Sequence, residues 1–366
     1  MTALSLPSPR QEAWRWANLS ALPALAAQQP SGSWPNLGLA LGKGPRLVFV
    51  DGVLDESRSD TGPLAIGPVD ARTDHPLGRL ATGPGWALRL GRDHSPPGLI
   101  EIVHVATGGA NHLPGLIHLD EDAQASIVET FIGDGWSNRL TAIRLGRSAR
   151  LMRSVRLAQA SGFQSLRDEA EIGTGASLVT IVLAEGGAGS RADAFLRLTG
   201  EAAFAEMGGT LLARGEQRHE AAVVLRHEAE NGMSRQTWRA VADDTASASL
   251  AARVEVARGA QKTDAEQSLR GLLLKRAATV NLKPELEIFA DDVKCAHGAT
   301  VGELDARALF YLESRGIPPA EARALLTRAF VADALERIGQ DEVREAFAAS
   351  ADRWLQRSPC EVNGGK

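Results

Sequence analysis

Between Arg46 and Val293 the chain shows short apolar runs, at 47–50, 99–103, 126–128, 178–183, 222–225, 252–256 and 285–288, separated by turns of Gly, Asp, Asn and Ser. No 3.6-residue periodicity persists beyond two turns in this stretch, so it reads as strands. Most of the 37 glycines fall here, as short connections require. About 250 residues of this pattern build a sandwich, a barrel or a parallel β-helix. Strand spacing varies without a sharp repeat, and the pattern alone does not choose among the three.

The flanks read differently. Residues 11–25 place Trp14, Leu19, Leu22 and Leu25 at helical spacing, before the breakers Pro30-Ser31-Gly32-Ser33-Trp34-Pro35. Near the C-terminus, Leu304, Ala308, Tyr311 and Leu312 form an apolar stripe stopped at Gly316. Pro318-Pro319 opens a second helix through Ala322, Leu325, Leu326, Ala329 and Phe330, ending near Gly339. A third starts at Asp341 and aligns Val343, Phe347 and Trp354. The expected organisation is a helical segment at 1–40, a β core at 41–298, a helical domain at 299–358 and a tail at 359–366.

At 366 residues, 44% hydrophobic and 23% charged, the chain has an ordinary globular composition. A net charge of −5 gives no general attraction for nucleic acid or anionic lipid. No apolar run is long enough to span a bilayer, and no basic segment leads into an apolar one at the start. Two cysteines, Cys295 and Cys360, suit a reducing compartment rather than a disulfide framework, and a cytoplasmic location is expected.

The chemistry-bearing run is Asp291-Asp292-Val293-Lys294-Cys295-Ala296-His297-Gly298. On a strand, Cys295 and His297 share a face about 7 Å apart. Two soft ligands are too few for a closed zinc or iron–sulfur site, so a bound metal needs ligands from elsewhere, another chain included. Taken alone, the pair also suits a packed cysteine beside a solvated histidine. His104, His112 and His118 fit no helical ligand pair and read as hydrogen-bonded strand histidines. His219 and His227, eight apart, share a face of one strand without a third ligand.

Gly187-Ala188-Gly189 imitates a dinucleotide fingerprint but lacks the long helix that such a crossover needs. Gly42-Lys43-Gly44 lacks the rest of a phosphate loop, so no nucleotide is expected on this chain. Glu129, Glu171, Asp193, Asp291 and Asp292 leave open a carbohydrate-cleaving β-helix working by paired carboxylates, with Ca²⁺ as a helper. Cys360 reads as an exposed tail thiol.

From Gln261 to Ile317 an ordered series of segments resembles the SufB/SufD family of the SUF iron–sulfur cluster assembly machinery. The matching pieces are Gln261-Lys262-Thr263-Asp264-Ala265, Gly271-Leu272-Leu273-Leu274, Lys283-Pro284-Glu285-Leu286-Glu287-Ile288, residues 291–302, and Leu309-Phe310-Tyr311-Leu312-Glu313-Ser314-Arg315-Gly316-Ile317. Arg10-Gln11-Glu12-Ala13-Trp14-Arg15-Trp16-Ala17-Asn18-Leu19, Phe49-Val50-Asp51-Gly52, His227-Glu228-Ala229 and Ser234-Arg235-Gln236 extend the likeness outward. The low cysteine count and short length resemble the SufD side of the family more than the SufB side, which is the alternative.

The resemblance implies a right-handed parallel β-helix with short helical segments at both ends. It implies a non-enzymatic scaffold that pairs with SufB and holds the ATPase SufC through its C-terminal helices, in a system fed by a cysteine desulfurase. An iron–sulfur cluster would form transiently at the SufB–SufD interface, with His297 and Cys295 facing it. ATP-driven SufC movement would open or assemble that interface. Tyr311, Arg315, Leu325 and Phe330 are the candidate SufC-binding residues, Leu325 and Phe330 also being expected to pack inward.

Overall fold

Parallel pairing between segments one full rung apart organises the β region of the computed structural model, which describes residues 4–32 and 44–356. Four strands come first: β1 (Arg46–Val50), β2 (Val53–Leu54), β3 (Leu64–Pro68) and β4 (Pro84–Leu90). Two long strands follow, β5 (Ile100–Leu119) and β6 (Gln124–Leu145). Then come β7 (Arg150–Leu157), β8 (Phe163–Ile172), β9 (Ser177–Ala184), β10 (Gly189–Leu198), β11 (Phe204–Ala213) and β12 (Arg218–His227). The series closes with β13 (Met233–Ala242), β14 (Ser247–Val256), β15 (Asp264–Leu273), β16 (Thr279–Ile288) and β17 (Lys294–Glu303). The helices are α1 (Leu22–Ala27), α2 (Ala306–Ser314), α3 (Pro319–Leu335) and α4 (Asp341–Gln356).

One column of strands runs β7–β9–β11–β13–β15–β17 and the other β8–β10–β12–β14–β16, every pair parallel. The two halves of β5 and β6 extend both columns, giving a β-solenoid of about 8 turns. The expected mainly β, β-helix architecture is met, and the sandwich and barrel alternatives fall away. The register step between rungs varies from 26 residues (Phe163 opposite Gly189) to 32 (Ser247 opposite Thr279), which is why no repeat shows in the sequence.

One corner is built from a left-handed residue in each rung: Asp122, Ser148, Gly175, Ala202, Asn231 and Lys262 all have positive φ. Each donates its N–H to a carbonyl of the following rung, as in Asn231 to Gln261 at 2.9 Å. Six residue types fill one structural position, so the corner carries no single-letter signature. At another corner glycine is required: Gly162 has φ of +79°, and a Cβ there would lie 2.1 Å from the Gly135 carbonyl oxygen.

Alternate residues of each strand point between the columns and form the main core, with Phe49, Trp86, Phe131 and Trp238 among its largest members. On the outer face of the β9–β11–β13–β15 column lie α3 and α4. Val331, Leu335, Val343, Phe347 and Trp354 bury there against Ile181, Leu212, Val241 and Leu272. The aligned stripe expected for the last helix is therefore its buried face, and Gly316 (φ +87°) follows α2 as expected.

Two local expectations are corrected. The single helix expected over 11–25 is a 3-10 turn (Glu12–Trp14) and the short α1, because the Asn18 side chain caps the backbone and hydroxyl of Ser20 and breaks the run. The turn expected at Thr107-Gly108-Gly109-Ala110-Asn111 is a register-shifting bulge within β5, where Gly108 and Gly109 take positive φ and bend the strand from one column to the other. The tail with Cys360, the breaker run from Ser33 and the Gly42-Lys43 pair lie outside the described residues.

Candidate functional site

Cys295 and His297 lie on β17, the last strand of its column, on the same face. That face is the solenoid interior, since their register partners on β15, Ala265 and Gln267, are buried. Among the described residues no rung follows β17, so His297 is exposed although it points inward, and Cys295 is half-buried against the end of the core. The neighbouring β16 closes the other column in the same way. Lys294 donates its N–H to the Thr263 carbonyl at 2.8 Å. In a parallel ladder the N–H groups of Cys295, His297, Ala299 and Val301 then face out of the sheet.

The terminal rung thus offers two open ten-residue edges. Ile288, Phe289 and Val301 are exposed on it, and Gly298 and Gly302 have open space where a Cβ would stand. A long unpaired edge with apolar side chains invites strand addition. Burial pushes the Cys295 thiol above its ordinary range, a backbone bond at Ala265 opposes this, and the Asp264 charge adds to it. The thiol is therefore held protonated until a cation or metal favours the thiolate. Among the described residues no three His, Cys, Asp or Glu side chains converge as a metal site. This rung sets a thiol and an imidazole on one face, beside strand edges that pair with no other strand among the described residues.

Of the other candidate histidines, four pack within the fold and His118 lies on its surface. His104 is stacked between Phe49 and Phe131, accepts a 3.1 Å bond from Arg139 Nε on Nδ1 and lies 3.4 Å from Glu129. Burial, with the Arg139 charge, lowers it to about 4. His112 packs edge-on to Trp136 and contacts Asn138 at 3.0 Å. His219 and His227 share the interior face of β12 as expected, meeting Ser190 and Ser234 at 2.8 and 2.9 Å. His118 lies 3.3 Å from Asp120 on the surface.

The candidate carboxylates do not gather into an accessible pair. Glu129 is sealed in the core against Arg153 at 2.6 Å, Asp193 is bound by Arg191 at 2.7 Å, and Glu171 is an exposed partner of Arg197. Asp291 and Asp292 sit in the exposed turn before β17. Gly187-Ala188-Gly189 is the turn between β9 and β10, with no helix following.

Sequence reading missed the buried network in which Arg153 of β7 joins Glu129, on the neighbouring strand of its own column, to Asp168 of β8 in the other column. Its members lie on three different strands, and only the winding of the solenoid brings them together. Of the candidate helical residues, Tyr311 and Arg315 are exposed, the guanidinium 5.2 Å from the ring. Leu325 is half-buried, and Phe330 packs against the α3–α4 core.

Fold and face together define a β-solenoid protein with an incomplete soft-ligand pair on an open terminal rung. A family model described as SUF system FeS cluster assembly, SufBD core domain, matches residues 103–330, and the chain belongs to that family. It is 26% identical to the iron-sulfur cluster assembly protein SufD of Escherichia coli over 381 aligned positions, which cover 96% of this chain and 89% of that protein. Protein ABCI7, chloroplastic, of Arabidopsis thaliana is 32% identical over 240 positions, 62% of this chain and 49% of that protein. The SufD of Bacillus subtilis is 30% identical over 159 positions, 43% of this chain and 36% of that protein. The chain spans about half the length of the Arabidopsis relative. Its role lies in iron–sulfur cluster assembly by the SUF system, as the resemblance implied.

Proposed function

We propose that this chain is a non-catalytic scaffold subunit of the SUF machinery, pairing with a SufB chain through its terminal rung. The observation that carries the proposal is the coincidence of Cys295 and His297 with two strand edges left unpaired among the described residues. A partner strand adding to β17 brings its own ligands to the same face. That converts two soft ligands into the four that an iron–sulfur cluster takes. The cluster is cargo, held transiently and shared with SufB, and it leaves when the ligand set is broken.

The C-terminal helices supply the second contact. Phe310, Tyr311 and Arg315 stand exposed on and just after α2, which buries none of its own residues, and they suit the ATPase SufC. Leu325 and Phe330 support that surface from within α3. Nucleotide binds SufC and not this chain, and the movement reaches the rung through the helices packed on the solenoid. A cysteine desulfurase feeds the system, which works in the cytoplasm.

The test is an anaerobic pull-down of the tagged chain from its native host with partners identified by mass spectrometry. Recovery of an ABC-type ATPase and a longer cysteine-bearing paralogue supports the scaffold. Recovery of the chain alone, even after crosslinking, removes it.

A further inference from the structure

Gln236, Gln267 and His297 hold the same inward position on β13, β15 and β17, Gln236 in register with Gln267 and Gln267 with His297. Both glutamines are 1% exposed in an interior otherwise built by residues such as Trp238, Val254 and Leu269. Gln236 Nε2 donates to the Arg253 carbonyl of β14 at 3.2 Å. Among the described residues Gln236 Oε1, Gln267 Nε2 and Gln267 Oε1 have no partner. A buried amide with neither end bonded has lost its bonds to water without replacing them, which is costly. A fully unbonded amide at Gln267, beside the unbonded oxygen of Gln236 and next to an imidazole, points to one common solution.

We propose that the three side chains form a hydrogen-bonded ladder that fixes the His297 ring. In-register parallel strands stand close enough for stacked amides to bond along the column. Gln267 Nε2–H donates to Gln236 Oε1, and Gln267 Oε1 accepts from a ring N–H of His297. Side-chain rotation alone satisfies all three orphaned atoms. The ring proton then lies on the nitrogen facing Gln267, and the other nitrogen carries its lone pair towards the open edge. A histidine whose inner nitrogen donates to a fixed acceptor is a ligand held in one tautomer. Gln267 is thus a positioning residue. Its use toward a cluster rests on the proposed function, whereas the ladder itself does not.

The test is the tautomer of His297 in the full chain labelled with ¹⁵N-histidine. It is read from long-range ¹⁵N–¹H correlations well above the ordinary histidine range, the signal being assigned by its loss in His297→Gln. One tautomer is expected in the unaltered chain. Gln267→Leu, which matches the volume and the apolar surroundings, should give a mixture of both with no loss of thermal stability, and Gln267→Met should do the same. Gln236→Leu should keep the single tautomer, because Gln267 Oε1 remains. A mixture in the unaltered chain, or a single tautomer that survives Gln267→Leu, overturns the ladder. Partner capture is a separate readout: a fixed tautomer without a captured partner would sink the functional reading and leave the ladder standing.

Discussion

Arg337 grips Glu206 through two guanidinium nitrogens, each at 2.8 Å, and so ties the segment after α3 to β11 on the solenoid wall. Glu206 is almost wholly buried while Arg337 is half-exposed. The bond sits beside the apolar seam of Val331, Leu335 and Ile338, and Arg239 adds a second tie to Asp333 at 2.8 Å. The helices are thereby coupled to the same column that ends in β17.

Removing Arg337 leaves the Glu206 carboxylate buried without its cation. Arg337→Ala should lower unfolding stability by about 1–3 kcal/mol, moderated by the exposure of the guanidinium. Urea denaturation gives the magnitude, and limited proteolysis should show α3 and α4 cut earlier than the solenoid. Unchanged proteolysis would mean that the apolar seam alone holds the helices.

Acid should loosen the fold through its histidines. His104, His112, His219 and His227 are each held down to about 4 by burial, the Arg139 charge adding for the first two. In the unfolded chain they titrate near 6.5. Between these values the unfolded chain takes up protons that the folded chain refuses. Stability from this source is therefore intact above 6.5 and falls as the pH drops towards 4. Each histidine contributes at most about 1.4 kcal/mol per pH unit.

Glu220 acts in the opposite sense. Burial pushes it up to about 7, Arg191 opposing and Asp193 adding, so its term weakens the fold as the pH rises from 4.5 to 7. The net expectation is a urea midpoint that falls steeply from pH 6.5 to 4, and a shallower slope, by about one proton, in His219→Gln. A flat profile would contradict the buried neutral histidines.

The Cys295 thiol should alkylate more slowly at mildly alkaline pH than a free cysteine, because burial and Asp264 raise it. Asp264→Asn should speed the reaction by removing one of the two causes. With the proposed ATPase and partner bound, addition of ATP should change the labelling rate. The same rate with and without nucleotide would count against movement reaching the rung.

Much of this was legible in the sequence because it depends on local chemistry. Gly316, Pro319 and Asp341 punctuate the helices, and the two-residue period alone places Cys295 and His297 on one face. The rung itself was not legible from pattern. Register steps of 26 to 32 residues and a corner that accepts Asp, Ser, Ala, Asn or Lys erase any repeat, so the architecture came from the family resemblance. Contacts set by the winding of the chain were equally hidden: Arg153 reaches Glu129 one rung back and Asp168 in the other column, and Gln236 lies thirty-one residues before Gln267.

The most direct test of the terminal rung as the pairing face is Ala299→Pro. Ala299 directs its N–H away from β15, so proline there costs the solenoid no ladder bond while removing a donor that an added strand would use. Native mass spectrometry of complexes captured anaerobically should show the variant keeping the ATPase and losing the longer cysteine-bearing paralogue, with the unfolding midpoint unchanged. Retention of that paralogue at the level of the unaltered chain would contradict pairing through β17.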